Sequence, residues 1–157
     1  MILQTNFKGA EFTPNHNIGE WGCLFLVLIE IARIKKEKEI NKAGILWVYK
    51  TMNKKNYAQY DTKKNDPKNY NKDGVFIKNR FKVVEIATGK ETIKKTSKRK
   101  AKFIIQSFKT KNMFYTHFRL IVNYGSYSVI YDPYPMLLQN QAEKGITMKL
   151  KSEDYYV

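Results

Sequence analysis

The residues of this chain that could do chemistry are Cys23, which follows Gly22 and opens the most apolar stretch, and two residues far downstream. These are His117, in Thr116-His117-Phe118-Arg119-Leu120, and Asp132, in Tyr131-Asp132-Pro133. A thiol nucleophile, a histidine base and a carboxylate that orients the imidazole use these residue types in this chain order. Taken singly, each has a plainer reading. Cys23 suits a buried core thiol, His117 a half-exposed strand residue, and Asp132 the start of a turn before Pro133. His16 is a competing base, but it sits in a polar stretch. One cysteine and two histidines lack metal-ligand spacing such as Cys-x-x-Cys, and no phosphate-binding glycine loop is present, so neither a metal nor a cofactor is expected.

Elements must bring the three residues together. Residues 15–22 read as a polar loop feeding a helix that begins at Cys23 and runs to about Lys36, apolar on nearly every side until Glu30 and Arg33. A helix apolar all round is buried all round. Its first turn offers unpaired N–H groups and a positive dipole end that stabilise a thiolate, while Lys35, Lys36 and Lys38 suit its far end. Asn41 is a candidate N-cap for a second helix to about Asn53, where Ile45, Leu46, Val48, Tyr49 and Met52 recur at helical spacing. The Lys-, Asn- and Asp-rich residues 53–73 read as a long polar loop, a candidate gate for substrate.

Beyond it the sequence predicts strands at Val75–Ile77, Phe81–Ile86, Phe103–Phe108, Phe114–Asn123, Tyr127–Tyr131 and Thr147–Leu150. Gly125 supplies the positive φ for a tight turn between the fourth and fifth. If those two pair, His117 near one strand's beginning and Asp132 just past the other's end come within reach, with opposed Cβ atoms about 5 Å apart. The resulting class is α+β, with N-terminal helices packed on a C-terminal antiparallel sheet.

At 157 residues one domain spanning 1–157 is expected, and the apolar content is ample for a core. A lone cysteine cannot form an internal disulfide and fits a reducing compartment. The N-terminus lacks the pattern of a signal peptide, and the apolar run from Cys23 to Ala32 is shorter than the roughly 20 residues of a membrane span. No membrane partner and a cytoplasmic location are therefore expected.

The formal charge of +15 invites a nucleic-acid reading, and six of the nine residues from Lys94 to Lys102 are basic. Against it, lysine far outnumbers arginine, which occurs only at positions 33, 80, 99 and 119. The abundance of Lys, Asn, Ile and Tyr is also what A/T-rich codons produce. A basic strand edge or solvated loop is the commoner meaning of such a run.

Trp21-Gly22-Cys23-Leu24-Phe25, His117-Phe118-Arg119-Leu120-Ile121-Val122 and Val129-Ile130-Tyr131-Asp132-Pro133 together resemble the Cys, His, Asp pattern of papain-like cysteine peptidases of the bacteriocin-processing (C39-like) type. There a Gly-Cys opens the central helix, a His-Phe begins a strand and an Asp-Pro ends the next. The whole chain also resembles a protein family of Borrelia plasmids and phages that shares the Gly-Cys-x-Phe opening and brings no known activity with it. The peptidase resemblance implies a papain-like fold, with Cys23 as nucleophile, His117 as acid/base and Asp132 as orienter. The reaction it implies is acyl transfer on a peptide or other acyl substrate. The family's oxyanion glutamine is matched by Asn17, one methylene shorter, acting with the backbone N–H of Cys23, and Leu24 replaces a family glycine. The competing class is a non-catalytic basic module on the same fold that holds nucleic acid or an acidic protein through Lys94, Lys95, Lys98, Arg99 and Lys100.

Overall fold

The computed structural model describes residue 3 and residues 6–7, 22–60, 75–109 and 116–157. Helix α1 is Cys23–Lys36, the span expected from its composition. Every residue from Phe25 to Ala32 is buried, including Glu30, whose carboxylate is bonded to Arg33 on the next turn. Arg33 reaches on to Glu39 at 3.2 Å, so the buried charge is neutralised and linked to the surface. Helix α2, Lys42–Lys54, begins where expected: the Asn41 side chain accepts the Gly44 N–H at 2.8 Å. Its buried face, Ile45, Val48, Tyr49 and Met52, stacks Tyr49 on Phe25 of α1.

Residues 53–73 are not wholly loop. Strand β1, Ala58–Tyr60, pairs antiparallel with β2, Val75–Ile77, and residues 61–74 lie outside the described residues. The strand expected at Phe81–Ile86 is instead helix α3, Arg80–Thr88. Its β-branched content reads as strand, but Val83, Val84 and Ala87 are buried at helical spacing and α3 packs along α1. Local chemistry agrees with the helix. The Asn79 side chain caps it by accepting the Lys82 N–H at 3.1 Å, and Gly89 ends it at φ 92°.

The main sheet contains β3 (Phe103–Lys109), β4 (His117–Asn123), β5 (Ser128–Tyr131) and β6 (Lys149–Tyr156), in the spatial order β5-β4-β3-β6 and antiparallel throughout. The β4–β5 hairpin turns at Gly125, φ 82°, as its sequence requires. Strand β6 is longer than the expected Thr147–Leu150 and runs on through Lys151-Ser152-Glu153-Asp154. This polar run suits an edge strand, and it is anchored by Glu153 to Gln106 and by Asp154 to Arg80. Segregation of helices and strands is also incomplete, because helix α4, Pro135–Glu143, lies between β5 and β6 in the chain.

The fold is therefore α+β. Phe103, Ile105, Leu120, Val122, Tyr131 and Tyr156 of the sheet join α1, α2 and α3 in one core, while Phe108, Leu137 and Met148 form a smaller cluster that fixes α4. Among the described residues no helix is long and apolar enough to cross a membrane.

Because the α3 cap is a single side-chain bond, Asn79→Ala should lower unfolding stability by about 1 kcal/mol in chemical denaturation, whereas Asn79→Asp should remain close to the parent. Equal losses in both variants would show that the side-chain oxygen at position 79 does not hold this helix end.

Candidate active site

Cys23 is the first residue of α1, and Gly22 before it has no side chain with which to cap the helix. Among the described residues no side chain caps the positive end of this largely buried helix, and the polar side chain placed in its first turn is the Cys23 thiol. Cys23 is 7% exposed, and its Sγ donates to the Thr116 carbonyl 3.7 Å away. That contact joins the start of α1 to the residue immediately before β4.

His117 is the first residue of β4, paired with Phe108 of β3, and only 2% exposed. One register step along β3 towards His117, the β3–β6 pairing shifts between Ser107 and Phe108, an irregularity of the kind that re-aims side chains beside sites. The imidazole Nε2 lies 2.8 Å from Asp132 Oδ1, the residue just past β5. The two are not directly opposed as the hairpin geometry suggested. Leu120 pairs with Tyr131, so the register places Asp132 across from position 119, and His117 reaches it diagonally. The length of the imidazole covers the offset.

Asp132 has a second bond: the same Oδ1 accepts the backbone N–H of Tyr134 at 2.9 Å. This is an Asx turn leading through Pro133 into α4, so the plain reading of Asp132 as a turn residue and the reading as orienter both hold in one geometry.

Burial of His117 by itself opposes a charged imidazolium. Hydrogen bonds to Asp132 and Cys23, with the negative charge of both partners, outweigh that cost and push its pKa up from 6.5 to about 9. Burial and the nearby charges of Glu30 and Asp132 also raise the Tyr131 phenol, keeping it neutral beneath the site. With Nε2 engaged by Asp132, Nδ1 is the ring nitrogen left for the thiol.

The structure thus brings Cys23, His117 and Asp132 together from three separate elements. The oxyanion candidate Asn17 and the competing base His16 lie outside the described residues. Two contributors escaped the sequence reading, the Thr116 carbonyl and the Tyr134 N–H. Backbone groups leave no trace in residue type, although Asp-Pro-x is a turn signal from which the Tyr134 contact follows. Among the described residues no three His, Cys, Asp or Glu side chains converge as metal ligands.

Comparison with family models, with curated proteins and with solved structures finds no match to this chain. What the site can do therefore rests on its own geometry.

A folded-state pKa above the unfolded value means that the His117 interaction stabilises the fold fully below about pH 6.5 and is lost as pH rises through about 9. Unfolding stability should fall across that window by up to about 3 kcal/mol. Asp132→Asn should flatten the slope, and an unchanged slope in that variant would mean that another group titrates.

Proposed function

We propose that this chain is a papain-like cysteine peptidase, or an amidase or acyl transferase of the same mechanism, working through Cys23, His117 and Asp132. The observation that carries the reading is one imidazole coupled to a carboxylate 2.8 Å from Nε2 and to a thiol in the first turn of a largely buried helix. The Gly-Cys, His-Phe and Asp-Pro pattern resembles that family and supports the same assignment. A free thiol also suits a reducing, cytoplasmic setting.

In this proposal the Cys23 proton, donated to the Thr116 carbonyl at rest, passes to His117 Nδ1, and the thiolate so formed is held by the imidazolium and the α1 dipole. The thiolate attacks the carbonyl carbon of an amide or thioester, and the carbonyl oxygen takes the negative charge. The Cys23 N–H and, in this proposal, Asn17 stabilise that oxyanion. For an amide, collapse breaks the C–N bond as the imidazolium protonates the departing nitrogen. The products of this half are a free amine and a thioester on Cys23. A thioester substrate instead releases a thiol. Water, or a second acceptor, then attacks while neutral His117 takes its proton, the C–S bond breaks, and the thiolate–imidazolium pair returns. His117 Nε2–H donates to Asp132, which fixes the tautomer and leaves Nδ1 available to exchange a proton with sulfur.

The test is alkylation of Cys23 by iodoacetamide across pH, read by intact mass. Rapid labelling well below pH 8 is expected, and His117→Ala should abolish it at neutral pH. A rate that rises only near pH 8.5 in both proteins would make Cys23 a structural thiol and sink the proposal. Once a substrate is in hand, turnover should fall as pH rises through about 9, where the imidazolium loses its proton. His117→Ala should cost about 10²- to 10⁴-fold in kcat/KM.

A further inference from the structure

A second cluster of exposed groups lies at the other end of α1. The Ala101–Lys102 backbone is tied to the β4–β5 hairpin, since Asn123 donates its N–H to the Lys102 carbonyl at 2.9 Å and its Nδ2 to the Ala101 carbonyl at 3.0 Å. This brings the basic run, including the 3₁₀ turn Lys98–Lys100, beside the hairpin loop. There Lys102 Nζ lies 3.8 Å from the centre of the Tyr124 ring, and Tyr124 stacks on Tyr127 with ring centres 5.2 Å apart and planes 23° from parallel. The result is a short pile of lysine, tyrosine and tyrosine. Tyr127, the outer member, is 60% exposed and Tyr124 is 39% exposed. A groove lined by Arg33, Lys35, Glu37, Lys102 and Tyr124 lies between this pile and the end of α1, its cations outnumbering the one carboxylate side chain.

The charges around the pile are largely uncommitted. Three of the four arginines serve the fold: Arg33 binds Glu30 and Glu39, Arg80 binds Asp154, and Arg119 donates to Gln106. Arg99 is the exception, exposed and without an ion pair among the described residues. Lys94, Lys95 and Lys100 share that condition, and Lys98 has only a long 3.9 Å contact to Glu153. Lys94 and Lys95 are held in place by pairing of their backbone with Val157 and Tyr156 at the end of β6. A compositional excess of lysine would scatter. Here unpaired cations line a braced segment that is bonded to a pair of exposed stacked rings.

We infer that the 94–102 segment and the Tyr124–Tyr127 ledge together bind single-stranded nucleic acid. The phosphates follow Lys94, Lys95, Arg99 and Lys100, and a base stacks on the outer face of Tyr127. An exposed aromatic face accepts any base, and cations alongside track the backbone without reading sequence. Stacked rings add nothing to recognition of an acidic protein, which needs only the cations. A duplex keeps its base faces inside. This assignment is independent of Cys23, which stands at the opposite end of α1.

The experiment is fluorescence anisotropy of a labelled oligothymidylate of about 15 nucleotides with the full chain, from about 50 to 200 mM salt. A duplex of equal length and poly-glutamate serve as competitors. The oligothymidylate should bind more tightly than either competitor. Tyr127→Ala should weaken it about 5- to 150-fold without altering the salt slope, while Tyr127→Phe should bind like the parent. Arg99→Ala combined with Lys100→Ala should reduce the slope of log K against log salt by about 1.4. The inference is overturned if Tyr127→Ala, folded by circular dichroism, binds like the parent. Competition by duplex or poly-glutamate at equal strength also overturns it, as does an absence of binding at the lowest salt.

Discussion

A helix with apolar side chains on every side gains little until it is surrounded, and the arrangement of this molecule follows from surrounding α1. Each large aliphatic side chain buried on it contributes about 1.5–3 kcal/mol, so Leu26, Leu28 and Ile31 alone favour a packed helix strongly. α3 lies along one side and β4 along another. The Tyr49–Phe25 stack brings in α2. Because α1 is enclosed, each of its ends has a defined position. The first turn meets the start of β4 through Cys23 and Thr116, and the last turn meets the hairpin at Tyr124. The charge that intrudes on this helix, Glu30, is tolerated because Arg33 and Glu39 carry it to the surface.

The site is an electrostatic consequence of that enclosure. A histidine 2% exposed would ordinarily be neutral, because desolvation disfavours the cation. Interactions with Asp132 and Cys23 reverse the balance, and the reversal depends on both partners being immobile. Cys23 is held by the helix it begins. Asp132 is held by the Tyr134 N–H as well as by the imidazole, so the entry into α4 and the orientation of His117 share one carboxylate oxygen. Separating charges in a buried place is costly unless their partners are fixed in advance. Here the partners come from secondary structure that forms for other reasons.

The two ends of α1 differ in burial and in the charges around them. The buried N-terminus, without a side-chain cap among the described residues, directs positive potential at a sulfur with little access to water. The C-terminus opens onto lysines and tyrosines in solvent, where interactions are screened. Electrostatic effects on a side chain are therefore stronger at the first end than at the second.

Much of this was legible before any coordinates. Continuous apolarity marked α1, Asn41 marked the cap of α2, and Gly125 marked the hairpin turn. The types and order of Cys23, His117 and Asp132 nominated the residues that the fold brings together. Where the sequence misled, a local preference was overruled from outside the segment: Phe81–Ile86 is rich in β-branched residues, yet becomes helix because α1 offers a surface for one helical face. The polar run Lys151–Asp154 gave no strand signal, because an edge strand is held by its neighbour's backbone and not by its own side chains. Residue types and their periodicity thus determined which segments must be buried and which side chains could react. Only the tertiary structure decided the diagonal reach from His117 to Asp132, the paired ends of α1 and the bracing of the basic run beside Tyr124, because each depends on strand register and backbone hydrogen bonds between distant segments.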